Sequence, residues 1–84
     1  MNNKHRKILA AIFGIPTPKN LVWADIETLL IAVGCQVIED GDSRVGFKKD
    51  TMRVDFHRPH PGKEAKSYQI RDARQFLEII GVKP

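Results

Sequence analysis

Apolar residues recur with period two in one part of the chain and with helical spacing in three others. Across RVGFKKDTMRVDFH (residues 44–57), alternation puts Val45, Phe47, Met52, Val54 and Phe56 on one face. Arg44, Lys48, Arg53, Asp55 and His57 fall on the other face. The pattern predicts two strands joined at Asp50-Thr51. That turn pairs Lys49 with Met52, Lys48 with Arg53, Phe47 with Val54, Gly46 with Asp55, Val45 with Phe56 and Arg44 with His57. Every apolar residue of the hairpin then shares a face, which supports the register. Asp-Thr is not a favoured two-residue turn, but a loop lengthened symmetrically keeps the same pairs. Residues 35–40 read as a preceding strand, followed by Gly41-Asp42-Ser43; its facing stays open because Val37 and Ile38 compete for the core side.

Ile8, Ile12 and Ile15, with Leu9 and Phe13 beside them, predict a short amphipathic helix over residues 4–14. Gly14 and Pro16-Thr17-Pro18 end it and force an extended connection. This segment can lie against its own domain, the simpler arrangement, or against a partner. Trp23, Ile26, Leu29, Leu30 and Val33 predict a second helix stopped by Gly34. Ile70, Ala73, Phe76, Leu77 and Ile80 predict a third, stopped by Gly81. Nothing between these two repeats, so they are two core-facing helices and not a duplication. Asp25, Glu27, Arg71, Asp72, Arg74 and Glu78 form their solvated sides, and Trp23 belongs to the core. The order helix, helix, three strands, helix, with short connections, implies an α+β fold. An antiparallel meander carries the long helices on its apolar face.

With 84 residues, a single small domain buries only about 60–65% of its unfolded surface. A large metabolic enzyme fold is excluded, whereas a small nuclease or binding module fits. The formal charge of +4 and pI near 9.5 favour an anionic partner. A lone Cys35 gives no internal disulfide framework, fits a reducing compartment and reads as a buried thiol. No run approaches the ~18 apolar residues of a membrane span. The basic start before residues 8–15 resembles a secretory signal superficially, but its apolar run is short and no A-x-A site follows. The expected compartment is the cytoplasm, with no membrane association.

The densest chemistry lies in His57-Arg58-Pro59-His60-Pro61-Gly62-Lys63-Glu64. Two histidines three apart, with only Asp55 and Glu64 nearby and no cysteine, make a poor zinc set. No metal and no cofactor is expected. RNA cleavage needs neither: a base frees the ribose 2′-hydroxyl, an acid protonates the leaving oxygen, and cations hold the phosphate. Histidine titrates near neutrality and serves either proton transfer; the alternative is a structural turn. Lys48 opposite Arg53 sets two cations together, a cost that phosphate binding would relieve. Gly46 between Arg44 and Lys48 reads as an open patch for a ribose or base, or as a bulge.

The ordered set of features resembles the HicA toxin family. It comprises a helix ending in Gly34, Gly41-x-Ser43, a hairpin, His60-Pro61-Gly62-Lys63-Glu64 and a last helix ending in Gly81. The match spans roughly residues 20–82, and Phe56-His57-Arg58-Pro59-His60-Pro61 is similar to a subgroup with an extra N-terminal segment. The resemblance implies a fold like the double-stranded-RNA-binding domain: helix, three antiparallel strands, helix, with an additional N-terminal helix. Residues 1–19 would be that helix and its Pro-rich connection, and residues 20–84 the HicA-like domain. It further implies metal-independent cleavage of mRNA by a type II toxin, neutralised by a HicB-like antitoxin. Family members typically carry Ser-His at the start of the second strand, with that histidine catalytic; here the pair is Ser43-Arg44. Arginine stays protonated and cannot be a general base. The candidate catalytic residues are therefore His57, across from Arg44, and His60. The candidate RNA-binding residues are Arg44, Lys48, Arg53, Arg58 and Lys63. The alternative is a catalytically silent RNA- or antitoxin-binding domain of the same fold.

Overall fold

The computed structural model describes residues 1–84. The elements run α1 (Asn3–Ile12), α2 (Trp23–Ala32), β1 (Gln36–Asp40), β2 (Arg44–Lys49), β3 (Met52–His57) and α3 (Ser67–Ile79). The sheet is an antiparallel meander in the order β1-β2-β3, so the expected α+β architecture with an N-terminal helix is the observed one.

The β2–β3 register is the one alternation dictates, from Arg44 opposite His57 to Lys49 opposite Met52. Asp50 takes a positive φ of 55° at the turn, a conformation that aspartate tolerates better than most side chains. In β1, Val37 lies opposite Phe47 and packs on the core, whereas Ile38 lies opposite Gly46 on the outer face. The competition between these two residues is thus decided for Val37.

One apolar cluster unites all the helices with the inner side of the sheet. It includes Ile12, Ile26, Leu29, Leu30, Phe47, Ile70 and Leu77, each fully buried. Trp23 packs edge-on against Phe56 with ring centroids 4.9 Å apart, in the geometry aromatic quadrupoles favour. It is a core residue.

The first helix is N-capped by Asn2, whose side chain accepts from the His5 N–H at 2.8 Å. Ile8, Leu9 and Ile12 bury it in the common core. Ile15 does not join them. The helix ends at Ile12, the proline-containing connection follows, and Ile15 is 91% exposed, which corrects the apolar stripe expected from spacing. At the end of α2, Gly34 takes φ +101°, and Lys49 Nζ donates to the Val33 carbonyl at 2.7 Å. A cation there satisfies a terminal carbonyl and complements the helix dipole.

Candidate functional site

Because the helices cover one face of the sheet, the residues pointing the other way form three cross-strand rows. They are Gln36–Lys48–Arg53, Ile38–Gly46–Asp55 and Asp40–Arg44–His57. The last row lies at the end of the hairpin where the chain leaves β3. The Arg58 N–H donates to the Ser43 carbonyl at 2.7 Å, so Ser43 and Arg58 form a hydrogen-bonded pair. Arg44 and His57, one step along, are therefore a non-hydrogen-bonded pair. In such pairs the backbones approach most closely, at roughly 4.5 Å between α-carbons, and facing side chains lie nearest each other. A guanidinium and an exposed imidazole thus rise from adjacent strands at one edge of the polar face.

The middle of that face differs from expectation. Arg53 does not stand against Lys48 as an uncompensated charge: its Nη2 and Nε lie 2.8 and 3.0 Å from Asp55 Oδ1. This pair arches over Gly46. A β-carbon on Gly46 would sit 2.8 Å from Asp55 Oδ1 and 2.9 Å from Arg53 Nη2. Gly46 is buried, so it offers no open patch for a ribose or base. The absent side chain makes room for an ion pair of this chain's own. Asp55, first by its hydrogen bond and then by its charge, raises the Arg53 pKa further.

The loop after β3 is held from three sides. Arg58 turns toward the helical layer, where its Nε and Nη2 donate to Glu27 of α2 at 2.8 and 3.3 Å. Its Nη1 and Nη2 donate to Glu39 of β1 at 3.0 and 2.8 Å. Glu27 also accepts from the Trp23 indole N–H. The hydrogen bonds from Arg58 hold the Glu39 carboxyl below its usual range, and the two carboxylates push the guanidinium pKa higher still. Gln69, 1% exposed, donates from Nε2 to the His57 carbonyl at 2.6 Å and accepts from the Lys66 N–H at 2.9 Å. It ties the end of β3 to the start of α3. Beyond His60, the chain pairs back onto the segment before α2, with Trp23 N–H to Lys63 O at 2.9 Å and Ala65 N–H to Leu21 O at 2.8 Å.

The expected site residues therefore separate by surroundings. Register brings Arg44 and His57 together, with Lys48 on the same face. His60 and Lys63 are exposed on the braced loop. Arg53 is shared with Asp55, and Arg58 is committed to two carboxylates. Sequence reasoning missed Glu27, Glu39 and Gln69 as supports. The two glutamates were indistinguishable from solvated helix and strand positions. The weak signal for Gln69 was a polar residue inside the apolar spacing of α3, three residues after Lys66.

A groove of about 280 Å³ between β3 and α3, lined by Met52, Val54, Phe76 and Ile79 among others, lies toward the opposite end of β3 from His57. No three His, Cys, Asp or Glu side chains gather as a metal-binding group, and no helix is long and apolar enough to cross a membrane.

No curated protein matches the chain, and neither does any solved structure. A family model described as HicA toxin of bacterial toxin-antitoxin matches residues 23–82, from the first residue of α2 to just beyond α3. The matched part holds the whole sheet, both flanking helices and the His57–Lys63 loop, and leaves α1 outside. With well over half of its length covered, the chain belongs to the HicA family, the toxin component of a bacterial toxin–antitoxin pair.

Proposed function

We propose that the protein is a metal-independent endoribonuclease acting on mRNA and held in check by a HicB-like antitoxin. The observation that carries this reading is the cross-strand pairing of Arg44 with His57. It supports the reading by setting an imidazole on the strand across from the position where Ser43-Arg44 removes the family's usual one. In this mechanism His57 takes the proton of a ribose 2′-hydroxyl, whose oxygen then attacks the adjacent phosphorus. The bond to the 5′-oxygen of the next nucleotide breaks, and His60 supplies that oxygen with a proton. The products are a 2′,3′-cyclic phosphate and a free 5′-hydroxyl. Arg44 holds the phosphate while charge gathers on it, and Lys48, Arg53 and Lys63 bind flanking phosphates. Arg58 enters this reading as a positioning residue, because Glu27 and Glu39 occupy its guanidinium.

The test is cleavage of a defined single-stranded RNA by the wild type, His57→Ala and His60→Ala. Losing a general acid or base lowers the rate by roughly 10²- to 10⁴-fold, and each variant is expected to fall in that range with RNA binding retained. Equal cutting by wild type and both variants would remove these two residues from the mechanism. A second reading, a silent domain that binds RNA or antitoxin through the same face, is favoured by Arg44 itself. A wild type that binds RNA and leaves it intact, with no antitoxin present, would establish that reading.

A further inference from the structure

The positive charge of this protein is unevenly placed. Residues 1–24 contain Lys4, Arg6, Lys7 and Lys19 and no carboxylate, whereas residues 25–84 contain ten cations and ten carboxylates. The family-matched part, residues 23–82, is close to neutral, and the formal +4 of the chain comes from the segment that precedes it. A neutral unit has little long-range attraction for a polyanion. The added segment supplies it.

The structure also fixes where that charge lies. Ile8, Leu9 and Ile12 are at most 5% exposed, so α1 is packed in place rather than trailing from the domain. Lys4 Nζ sits 3.4 Å from Asp25 Oδ1 in the first turn of α2, which sets this edge of α1 beside the α2 N-terminus. Lys7, one helical turn along and exposed, continues the same edge. The start of α2 is in turn joined to the histidine loop through Trp23 N–H to Lys63 O. Lys19 is exposed two residues before Leu21, whose carbonyl accepts from Ala65. Lys4 and Lys63 are thus joined to the first turn of α2, one from α1 and one from the histidine loop, and Lys19 stands in the connection whose Leu21 pairs with Ala65. Arg6 lies on the other side of α1, in a groove shared with Lys83 and Pro84.

We infer that the Lys4–Lys7 edge of α1, together with Lys19, is an accessory track for the RNA backbone. It extends the substrate path from the His57–Lys63 loop and holds RNA on either side of the cleaved phosphate. The inference rests on the RNA substrate proposed above and assigns the N-terminal helix a function of its own in binding it.

The probe is a fluorescent 20-nucleotide single-stranded RNA with 2′-O-methyl riboses, which cannot be cut by 2′-hydroxyl attack. Its affinity is measured by anisotropy across a KCl series. Lys7→Gln/Lys19→Gln is compared with Arg6→Gln/Lys83→Gln, which removes the same charge from the other side; all four residues are exposed. Each lost phosphate contact lowers the slope of log K against log salt by about 0.7. The first variant should lose about 1.4 in slope and about 25-fold in affinity at 0.1 M KCl. The second should lose less than ~3-fold, by long-range charge alone. Equal losses in the two variants would reduce the effect to net charge and overturn the track. So would an unchanged titration for Lys7→Gln/Lys19→Gln, including the case where only antitoxin binding weakens. A wild type that binds no RNA would instead bring down the ribonuclease reading itself, a failure distinguishable from the other two.

Discussion

Arg58 shows how one side chain can look like a substrate contact and act as a brace. In sequence it stands between two histidines in a basic loop, yet its planar fork spans Glu27 on α2 and Glu39 on β1. Arginine suits this task because it satisfies two carboxylates at once, which lysine cannot do in the same geometry. Arg58→Ala leaves the part-buried Glu27 with the Trp23 indole N–H but no cation, at a cost of about 1–2 kcal/mol, the value for a charged hydrogen bond after discounting for solvent. Thermal unfolding should show a Tm lower by roughly 5–10 °C, and Arg58→Lys should recover less than half of it. The pH dependence carries a sign. Arg58 depresses the Glu39 pKa in the folded state, so this contribution is present above the unfolded carboxylate value, about 4.3. It is lost as pH falls through the lower folded value. Wild type and Arg58→Ala should therefore converge in stability on acidification; a Tm gap that stays constant from pH 7 to pH 3 would show that the brace is not ionic. Gly46 teaches the same lesson from the other side. A glycine between cations reads as an opening for ligand, yet in the fold Arg53 and Asp55 close over it.

At the scale of elements, α1 is where family and fold part company. The family match begins at residue 23, but the apolar core does not: Ile12 is fully buried in the same cluster as Leu29, Phe47 and Leu77. Ile12→Ala removes atoms from a packed site and leaves a cavity, which costs about 2–4 kcal/mol. Calorimetry should register a Tm fall of ~10 °C or more for a chain of this size. A fall of only a degree or two would mean that α1 is a detachable appendage. The elements themselves were legible because each carried a redundant signal. Helical spacing ended in glycine at Gly34 and Gly81, both with positive φ, and the hairpin register followed from requiring Val45 to Phe56 to share a face. The end of α1 was harder, because Ile15 continues the apolar spacing past the point where the helix stops. The strand β1 was ambiguous because adjacent Val37 and Ile38 are equally apolar, and only pairing with Phe47 separates them. For the candidate site, the Arg44–His57 juxtaposition was readable from register. Its braces were not, because Glu27, Glu39 and Gln69 act across sequence separations of 31, 19 and 12 residues, and no local pattern records such distances.

On the scale of the whole molecule, the helices cover one face of the sheet and leave the other open. The protein measures 31 × 31 × 20 Å and exposes 5310 Å². A standard protein–protein interface takes about 800 Å² from each partner, roughly a seventh of that surface. An antitoxin seated on the outer face of the sheet would thus cover much of it, including the Arg44–His57 edge, with no need for a separate inhibitory contact. RNA and antitoxin would then compete for the same cations, and Lys48 is the one best placed to report it. It is exposed, it shares the face with Arg44, and Arg53 beside it is engaged by Asp55. Lys48→Glu should weaken RNA binding at least about 5-fold at 0.1 M salt, the value of one phosphate contact. Titration calorimetry with the cognate antitoxin should show a loss in the same direction, because acidic groups matched to the phosphates would meet the same reversed charge. If the variant loses RNA affinity while its antitoxin complex is unchanged, the partner must neutralise from another side. The free edge of β3 and the groove between it and α3 would then be the surface to examine, since an added strand there could restrain the toxin without touching the polar face.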